Sequence, residues 1–131
     1  MVGFPGETEA EFEDSRLFIE SLPFTYLHVF TYSERPGTRA AESVDQVPMP
    51  VRKERNRILR ELAERKNLEF RRRFLGRALS VVTLAEGALS DNFIKVELAH
   101  ARPANQMLDV EIGSTTMGGL RESVPFPLLP A

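Results

Sequence analysis

The chain has 131 residues, a net charge of −2 and no cysteine. This length allows one ordinary domain, or one small domain with part of a second. The absence of cysteine excludes disulfides, iron–sulfur ligation and cysteine nucleophiles within the chain, and its apolar runs are too short for a membrane-spanning helix. Residues 1–15 lack the pattern of a secretory signal, so we expect a cytoplasmic protein that does not enter a membrane.

The charges are segregated along the chain. Residues 1–50 carry a net charge of −6, residues 51–77 carry +7, and residues 78–131 carry −3. A basic block inside an acidic chain indicates a protein that binds a polyanion. Such a block can also be the solvated face of a helix.

The first segment predicts a turn followed by a helix. Residues 3–7, Gly-Phe-Pro-Gly-Glu, have the composition of a tight turn after a strand. Thr8 and Glu11 have the spacing of a capping box, which predicts a helix that begins after Thr8. Pro23 ends this helix near Leu22.

Residues 24–33 predict a buried strand. They are rich in aromatic and β-branched residues and are apolar at nearly every position from Tyr26 to Phe30. This pattern is typical of a strand covered on both faces, with His28 as a core histidine. Strand, helix and strand make one parallel βαβ step, whose unpaired edges could pair with another copy of the chain.

A loop, a long helix and several short strands follow. Prolines and a Pro-Gly pair predict a loop over residues 33–50, and Pro50 suits the first turn of a helix that runs to about Phe70. From Leu75 the apolar pattern alternates, which predicts short strands at 76–84, 92–100, 107–114 and 119–125. Such strands suggest a small barrel of oligonucleotide-binding (OB) type.

Together these segments resemble one protein family. "VGFPGETEAEF", "LPFTYLHVFTYSERPGTRAA" and "DQVPMPVRKERNRILRELAERK" occur in this order before the small β-domain. The chain is similar, over essentially its whole length, to the C-terminal part of radical SAM methylthiotransferases. Its Leu-Pro-Phe-x-Tyr-Leu-His-Val-Phe stretch most resembles the branch that acts on N6-threonylcarbamoyladenosine beside the tRNA anticodon.

The resemblance implies an α+β fragment with three parts. Residues 1–50 would be a partial βαβ remnant of the radical SAM barrel, residues 51–70 a long basic connector helix, and residues 71–131 a small all-β, OB-like TRAM barrel. The family uses S-adenosylmethionine and [4Fe-4S] clusters, which are held by cysteines in a preceding N-terminal portion. We therefore expect this chain to lack that portion, to bind neither cofactor by itself and to be inactive alone.

The resemblance also suggests cofactor-binding residues, but no catalytic or metal-ligating ones. Gly3, Phe4, Pro5, Gly6 and Glu7 match the family's loop near S-adenosylmethionine, where glycine lets the backbone approach a ligand. A βα turn that needs only backbone freedom is the alternative. The loop is not a P-loop, because no Gly-Lys-Ser/Thr follows.

Arg35 lies in a second stretch that matches the family, Tyr-Ser-x-Arg-Pro-Gly-Thr at residues 32–38. In the family this stretch faces the barrel mouth, where active-site loops gather. Arg35 could therefore contact a phosphate or carboxylate of the substrate, or it could brace its own loop.

The β-domain supplies the other candidates for tRNA binding, since the resemblance implies that a TRAM domain delivers tRNA. These candidates are Arg71, Arg72, Arg73, Arg77, Phe93, Lys95 and Arg102. The cations would neutralise phosphates, and Phe93 could stack on an unpaired base. Phe93 could instead plug the core, and the acidic balance of residues 78–131 would leave the arginines at the domain junction to dominate.

Three functional hypotheses remain open. The first is the tRNA-binding, non-catalytic C-terminal part of an enzyme that methylthiolates N6-threonylcarbamoyladenosine next to the anticodon. The second is a protein-docking module, as in the related branch that modifies a ribosomal protein, with the Phe93 region and residues 124–129 as the contact surface. The third is a fragment with no activity of its own.

Overall fold

The computed structural model describes residues 1–125, and residues 126–131 lie outside this description. The chain divides into two compact units, Met1–Asn67 and Leu68–Ala131. The described residues form two α-helices and five β-strands. The boundary between the units falls within the second helix, so both units contain part of it.

The predicted first helix and its capping box are confirmed. Helix α1 spans Glu9–Ser21, with Thr8 as the N-cap and Leu22 as the C-cap. The Glu11 amide donates to Thr8 Oγ1 at 3.2 Å, and the Thr8 amide donates to Glu11 Oε2 at 2.9 Å. Both hydrogen bonds satisfy amides that have no partner within the helix.

Helix α2, Met49–Arg72, contains the helix predicted at residues 51–70. Its Leu59 and Leu62 pack with Val2 and with Phe12 of α1 in the core of the first unit. Apolar burial of this kind stabilises a helix more than intrinsic propensity does.

The predicted two-sided burial of residues 24–33 is wrong. This segment is extended, but its only ladder pairing within the described residues is a single parallel bridge between Val2 and Thr31. Val29 packs against the core, whereas Tyr26 is 70% exposed and Phe30 63% exposed. His28 is also exposed and lies between these two rings, so it is not a core histidine. A strand is covered on both faces only when other elements pack on each, and the described part of this unit covers one.

The predicted small barrel is confirmed in the second unit. Its strands are β1 Ala78–Thr83, β2 Ala88–Ser90, β3 Lys95–Glu97, β4 Met107–Thr115 and β5 Gly119–Glu122. The strands form a closed barrel in the order β1-β2-β3-β5-β4, and of the neighbouring pairs only β3 and β5 are parallel. This arrangement is consistent with the predicted OB-like TRAM barrel. The radical SAM assignment of residues 1–50 stays a prediction.

The barrel core consists of alternating inward-facing residues. They are Leu79, Val81, Ala88, Ile94, Val96, Val110, Ile112 and Leu120. Gly119 lets β5 approach β3, because a Cβ there would lie 2.2 Å from the Lys95 carbonyl oxygen. Sequence patterning missed the short strand β2 and placed β3 over 92–100, although only three residues of that stretch pair.

The described helices include none that is long and apolar enough to cross a membrane.

Candidate nucleic-acid interface

The strand directions bring several candidate residues to one end of the barrel. Each pair of neighbouring strands is antiparallel except the parallel pair β3 and β5. The starts of β1, β3 and β5 therefore lie at this end, together with the ends of β2 and β4. The last turn of α2, residues 72–77, the β2–β3 turn at 91–94 and the β4–β5 turn at 116–118 surround it. We call this end of the barrel the basic end.

Arg71 is a structural residue of the basic end. Its guanidinium is buried and donates to the carbonyl oxygens of Thr116 at 2.7 Å and Gly119 at 2.8 Å. These bonds attach the last turn of α2 to the β4–β5 turn. Burial lowers the pKa of Arg71 from its ordinary value, yet an arginine of this kind stays charged at neutral pH. That Arg71 contacts tRNA stays a prediction, and the two bonds to the barrel favour a structural role for it.

Four other predicted cations of the basic end are exposed. Arg72, Arg73, Arg77 and Lys95 form no ion pair with any residue in 1–125. The chain passes from α2 to β1 through tight turns, and the Gly76 amide donates to the Ile112 carbonyl oxygen at 2.8 Å. The barrel backbone therefore anchors the segment that carries three of these arginines.

Phe93 is exposed at the same end, so it does not plug the core. Its side chain is 84% exposed and its backbone has φ of 65°. The β2–β3 turn that carries it contacts β1, since the Asp91 amide donates to the Ser80 carbonyl oxygen at 3.1 Å. Exposed cations beside an exposed aromatic ring can bind phosphates and stack on a base.

Arg102 does not belong to the basic end. It donates two hydrogen bonds of 2.6 Å to the Glu122 carboxylate, which also accepts from the Ala99 amide at 2.9 Å. The hydrogen bond from Arg102 holds the pKa of Glu122 below its ordinary value. Glu122 ends β5, so this pair lies at the opposite end of the barrel. That Arg102 contacts tRNA stays a prediction, and the pair with Glu122 favours a structural role for it.

Most cations of the first unit are satisfied within that unit. Those with carboxylate partners are Arg16, Arg52, Arg55, Arg57 and Arg65. Arg57, for example, lies between Glu54 and Glu61 on the exposed side of α2. Within the basic block, Lys53 and Arg60 are exposed and have no carboxylate partner in residues 1–125, but they do not lie beside other unpaired cations as Arg72, Arg73 and Arg77 do.

Arg52 and Arg55 are buried anchors that the sequence interpretation placed on the solvated face of α2. Arg55 donates to the Glu7 carboxylate at 2.7 Å and lies over the Phe12 ring, and Arg52 donates to the Val47 carbonyl oxygen at 2.6 Å. Their spacing could have revealed them, since positions 52 and 55 continue the apolar stripe of Leu59 and Leu62.

The predicted S-adenosylmethionine loop forms a turn whose polar groups bond within the first unit. The Gly3 amide donates to Glu7 Oε1 at 2.9 Å, and the Gly6 amide donates to the Asp45 carbonyl oxygen at 2.8 Å. Gly3 has φ of 75°, and a Cβ there would lie 2.5 Å from Arg52 Cγ. The ring of Phe4 and the side chain of Pro5 make no hydrogen bond, and Phe4 is partly exposed against Tyr32. These contacts favour the turn alternative for the two glycines.

Arg35 lies on an exposed turn of the first unit. Its carbonyl oxygen accepts from the Thr38 hydroxyl at 2.8 Å, while its guanidinium has no ion pair among residues 1–125. Arg35 is thus available for a ligand and does not brace its loop through its side chain. Within the described residues no cluster of histidine, aspartate or glutamate could hold a metal ion.

Comparison with known proteins identifies the family. No protein-family model matches the chain. It is 34% identical over 113 residues to a threonylcarbamoyladenosine tRNA methylthiotransferase of Aquifex aeolicus, covering 86% of this chain and 28% of that protein. It is 38% identical over 120 residues to a tRNA-2-methylthio-N(6)-dimethylallyladenosine synthase of Acetivibrio thermocellus, covering 92% and 24% respectively.

A second synthase with that description, from Thermobifida fusca, is 46% identical over 87 residues, covering 66% of this chain and 17% of that protein. The chain thus spans about a quarter or less of the length of the curated relatives it matches. This low coverage fits the prediction that the chain corresponds to one part of a longer enzyme. Since the similarity extends over most of its residues, the chain belongs to the radical SAM family of tRNA methylthiotransferases, as its sequence motifs predicted.

Proposed function

We propose that this chain is the tRNA-binding part of a methylthiotransferase, and that the basic end of its barrel contacts tRNA phosphates. One observation carries the proposal: Arg72, Arg73, Arg77 and Lys95 are exposed at one end of the barrel without carboxylate partners in residues 1–125. The relatives named above modify tRNA, which supports a polyanionic ligand of this kind.

Electrostatics explains why these four cations would matter more than the arginines that are paired with carboxylates. A paired arginine must leave its carboxylate before it can neutralise a phosphate, whereas an exposed unpaired one releases only counterions. Arg35 of the first unit meets the same condition and is a further proposed contact. Arg71 would contribute indirectly, by holding the last turn of α2 against the barrel.

The transfer chemistry belongs to groups outside this chain. In the family, S-adenosylmethionine and [4Fe-4S] clusters supply the methyl group and the radical and sulfur chemistry when bound. This chain has no cysteine, so it offers no thiolate for a cluster. The Gly3–Glu7 loop does not fit S-adenosylmethionine in the conformation described, because its two glycine amides and its carboxylate already have partners. We therefore propose a role in substrate binding alone for this chain.

The proposal extends to the modified nucleoside, for which a sequence motif is the support. We propose N6-threonylcarbamoyladenosine next to the anticodon, because the stretch from Leu22 to Phe30 resembles that branch. Relatives named for threonylcarbamoyladenosine and for dimethylallyladenosine are both similar to the chain, so overall identity does not separate the branches. A cytoplasmic location and pairing between copies through the exposed 24–30 segment remain further proposals.

The alternative function, docking to a ribosomal protein, has no support from the relatives named above, whose descriptions concern tRNA. Four residues of its proposed contact surface, 126–129, lie outside the described residues. Phe93 and Val124 are exposed, yet the cations around Phe93 favour an anionic partner over an apolar one.

A salt titration of tRNA binding tests the proposal. The 131-residue chain is titrated with unmodified tRNA at several salt concentrations, and log K is plotted against log[salt]. Four phosphate contacts predict a slope of about −3. Absence of binding at low ionic strength, or an affinity that salt does not change, would contradict the proposal.

A further inference from the structure

Two large apolar side chains project at the basic end. Phe93 is 84% exposed and Met117 is fully exposed, at 102%. They lie in the turns that precede the parallel strands β3 and β5, and each comes two residues before one member of the Lys95–Gly119 pair. Lys95 is exposed beside them. The register thus brings the two turns and the start of β3 to the same end of the barrel, with an exposed aromatic ring, thioether and ammonium group among their side chains.

The β2–β3 turn holds Phe93 in a backbone conformation that suits a bulky side chain poorly. A φ of 65° is uncommon for any residue except glycine and asparagine, and for a bulky residue it is an outlier. The turn holds it, since the Phe93 amide donates to the Ser90 carbonyl oxygen at 3.0 Å and the Ile94 amide to Ser90 Oγ at 2.8 Å. Ile94 is buried directly after it, which directs Phe93 out of the core.

The fold does not use the Phe93 side chain. Its ring makes no aromatic or cation–π contact with any residue in 1–125, and it does not pack against the barrel core. Asparagine or glycine would fit the turn with less strain. Strain of this kind that folding does not explain points to a ligand.

We propose that Phe93 and Met117, with Lys95 beside them, form a platform on which an unpaired nucleotide base stacks. The basic end would then prefer single-stranded RNA to duplex RNA, because the bases of a duplex are already stacked on each other and cannot offer a face to the ring. Lys95 would bind the phosphate next to the stacked base. This inference rests on the proposed tRNA binding by the same end of the barrel.

Substitutions that separate folding from stacking test the platform. The whole chain is titrated with a fluorescently labelled single-stranded RNA of about 12 nucleotides and with the duplex of the same sequence. We expect Phe93→Asn to weaken single-strand binding at least about fivefold, with duplex binding almost unchanged. The melting temperature should stay equal or rise, because asparagine suits the left-handed backbone at this position. Loss of binding without loss of folding is a result that a merely structural Phe93 would not give.

Met117 has a matched control at the other end of the barrel. Met107 begins β4 and is 79% exposed, so Met107→Ala removes a similar exposed side chain far from the platform. Met117→Ala should weaken single-strand binding, while Met107→Ala should not. Equal effects of the two substitutions would overturn the platform.

A tryptophan reporter observes the stacking directly. The chain has no tryptophan, so Phe93→Trp introduces a single indole. Single-stranded RNA should quench its emission and duplex RNA should not, and a Met107→Trp control should respond to neither. If the tRNA salt slope is as predicted but Phe93→Asn and Phe93→Trp show no single-strand effect, the platform is wrong and the proposed function stands. If no RNA binds at low salt, the proposed function fails and the platform fails with it.

Discussion

Arginines of the basic block at residues 51–77 have different environments in the two units of this chain. In the first unit, Arg52 and Arg55 are buried as anchors and Arg57 lies between two carboxylates. In the second unit, Arg72 and Arg73 are exposed without carboxylate partners in residues 1–125, immediately after the buried Arg71. A basic segment therefore indicates a nucleic-acid surface only where its charges remain unpaired, and net charge along the sequence does not reveal that.

The largest expected effect is on the anchors of the first unit. Arg55→Leu would leave the mostly buried Glu7 carboxylate without its cation and remove the contact with the Phe12 ring. Breaking a buried ion pair from one side costs about 3 kcal/mol or more. The free energy of unfolding can be measured in urea by tyrosine fluorescence, because both tyrosines lie in the first unit.

Arg57→Leu is the matched control for this variant. It removes an arginine from the same helix, but one whose partners Glu54 and Glu61 are exposed. Water and salt screen exposed pairs, so the loss should be much smaller. Equal losses for Arg55 and Arg57 would break the distinction between anchoring and surface arginines.

The next effect concerns Arg71, the one anchor among the arginines of the basic end. Arg71→Leu would leave the carbonyl oxygens of Thr116 and Gly119 without their donor. Two lost charge-assisted hydrogen bonds predict a destabilisation of the barrel by about 2–3 kcal/mol. Hydrogen exchange of the β4 and β5 amides measures it. Arg72→Leu should change exchange little, since Arg72 is exposed. Faster exchange in both variants would contradict the assignment.

The third prediction compares the two kinds of arginine in RNA binding. Two triple variants remove the same charge: Arg72, Arg73 and Arg77 to alanine in the second unit, and the carboxylate-paired Arg16, Arg57 and Arg65 to alanine in the first unit. The first variant should bind tRNA about tenfold more weakly, with a salt slope flatter by about 2–3, whereas the second should change little. Equal weakening would mean that total charge, rather than the basic end, binds tRNA.

The smallest expected effect is at the opposite end of the barrel and depends on pH. Arg102 holds the pKa of Glu122 below its ordinary value of 4.5, so the ionised carboxylate is favoured in the folded state. The resulting stabilisation is fully present above that ordinary value and is lost as the pH falls through the lower pKa of the folded state. Glu122→Gln should therefore lower the melting temperature at pH 7 by about 5 °C.

The difference in melting temperature between Glu122→Gln and wild type should disappear at acid pH, because Glu122 becomes protonated in the wild type. Glu97→Gln is the control, because the Glu97–Arg121 pair is exposed and should matter less. A gap for Glu122→Gln that stayed constant down to low pH would show that the pair does not act through ionisation.

Local signals were sufficient for the regular elements of the fold. The capping box of Thr8 and Glu11 predicted the start of α1, and the change of period near Leu75 predicted the barrel. Both signals depend on residues that are neighbours in sequence, where spacing determines contact. Strand β2 was missed because three residues are too few to show an alternation.

The candidate site was only partly predictable. The pattern of cations and one aromatic residue selected Arg72, Arg73, Arg77, Phe93 and Lys95, and the structure brings these to one end of the barrel. The same pattern also selected Arg71 and Arg102, which bond within the barrel. Their partners lie 20 or more residues away along the chain, so no local pattern could separate the two groups.

The sequence by itself determined the family, the helix starts and the presence of a small barrel after a basic helix, because motif order and periodicity are local properties. Tertiary structure alone decided which arginines are anchors, which are paired and which remain available. It also decided that residues 24–33 are covered on one face and that Phe93 faces solvent. These outcomes depend on which distant backbone and carboxylate groups come within hydrogen-bonding distance, and strand register sets that.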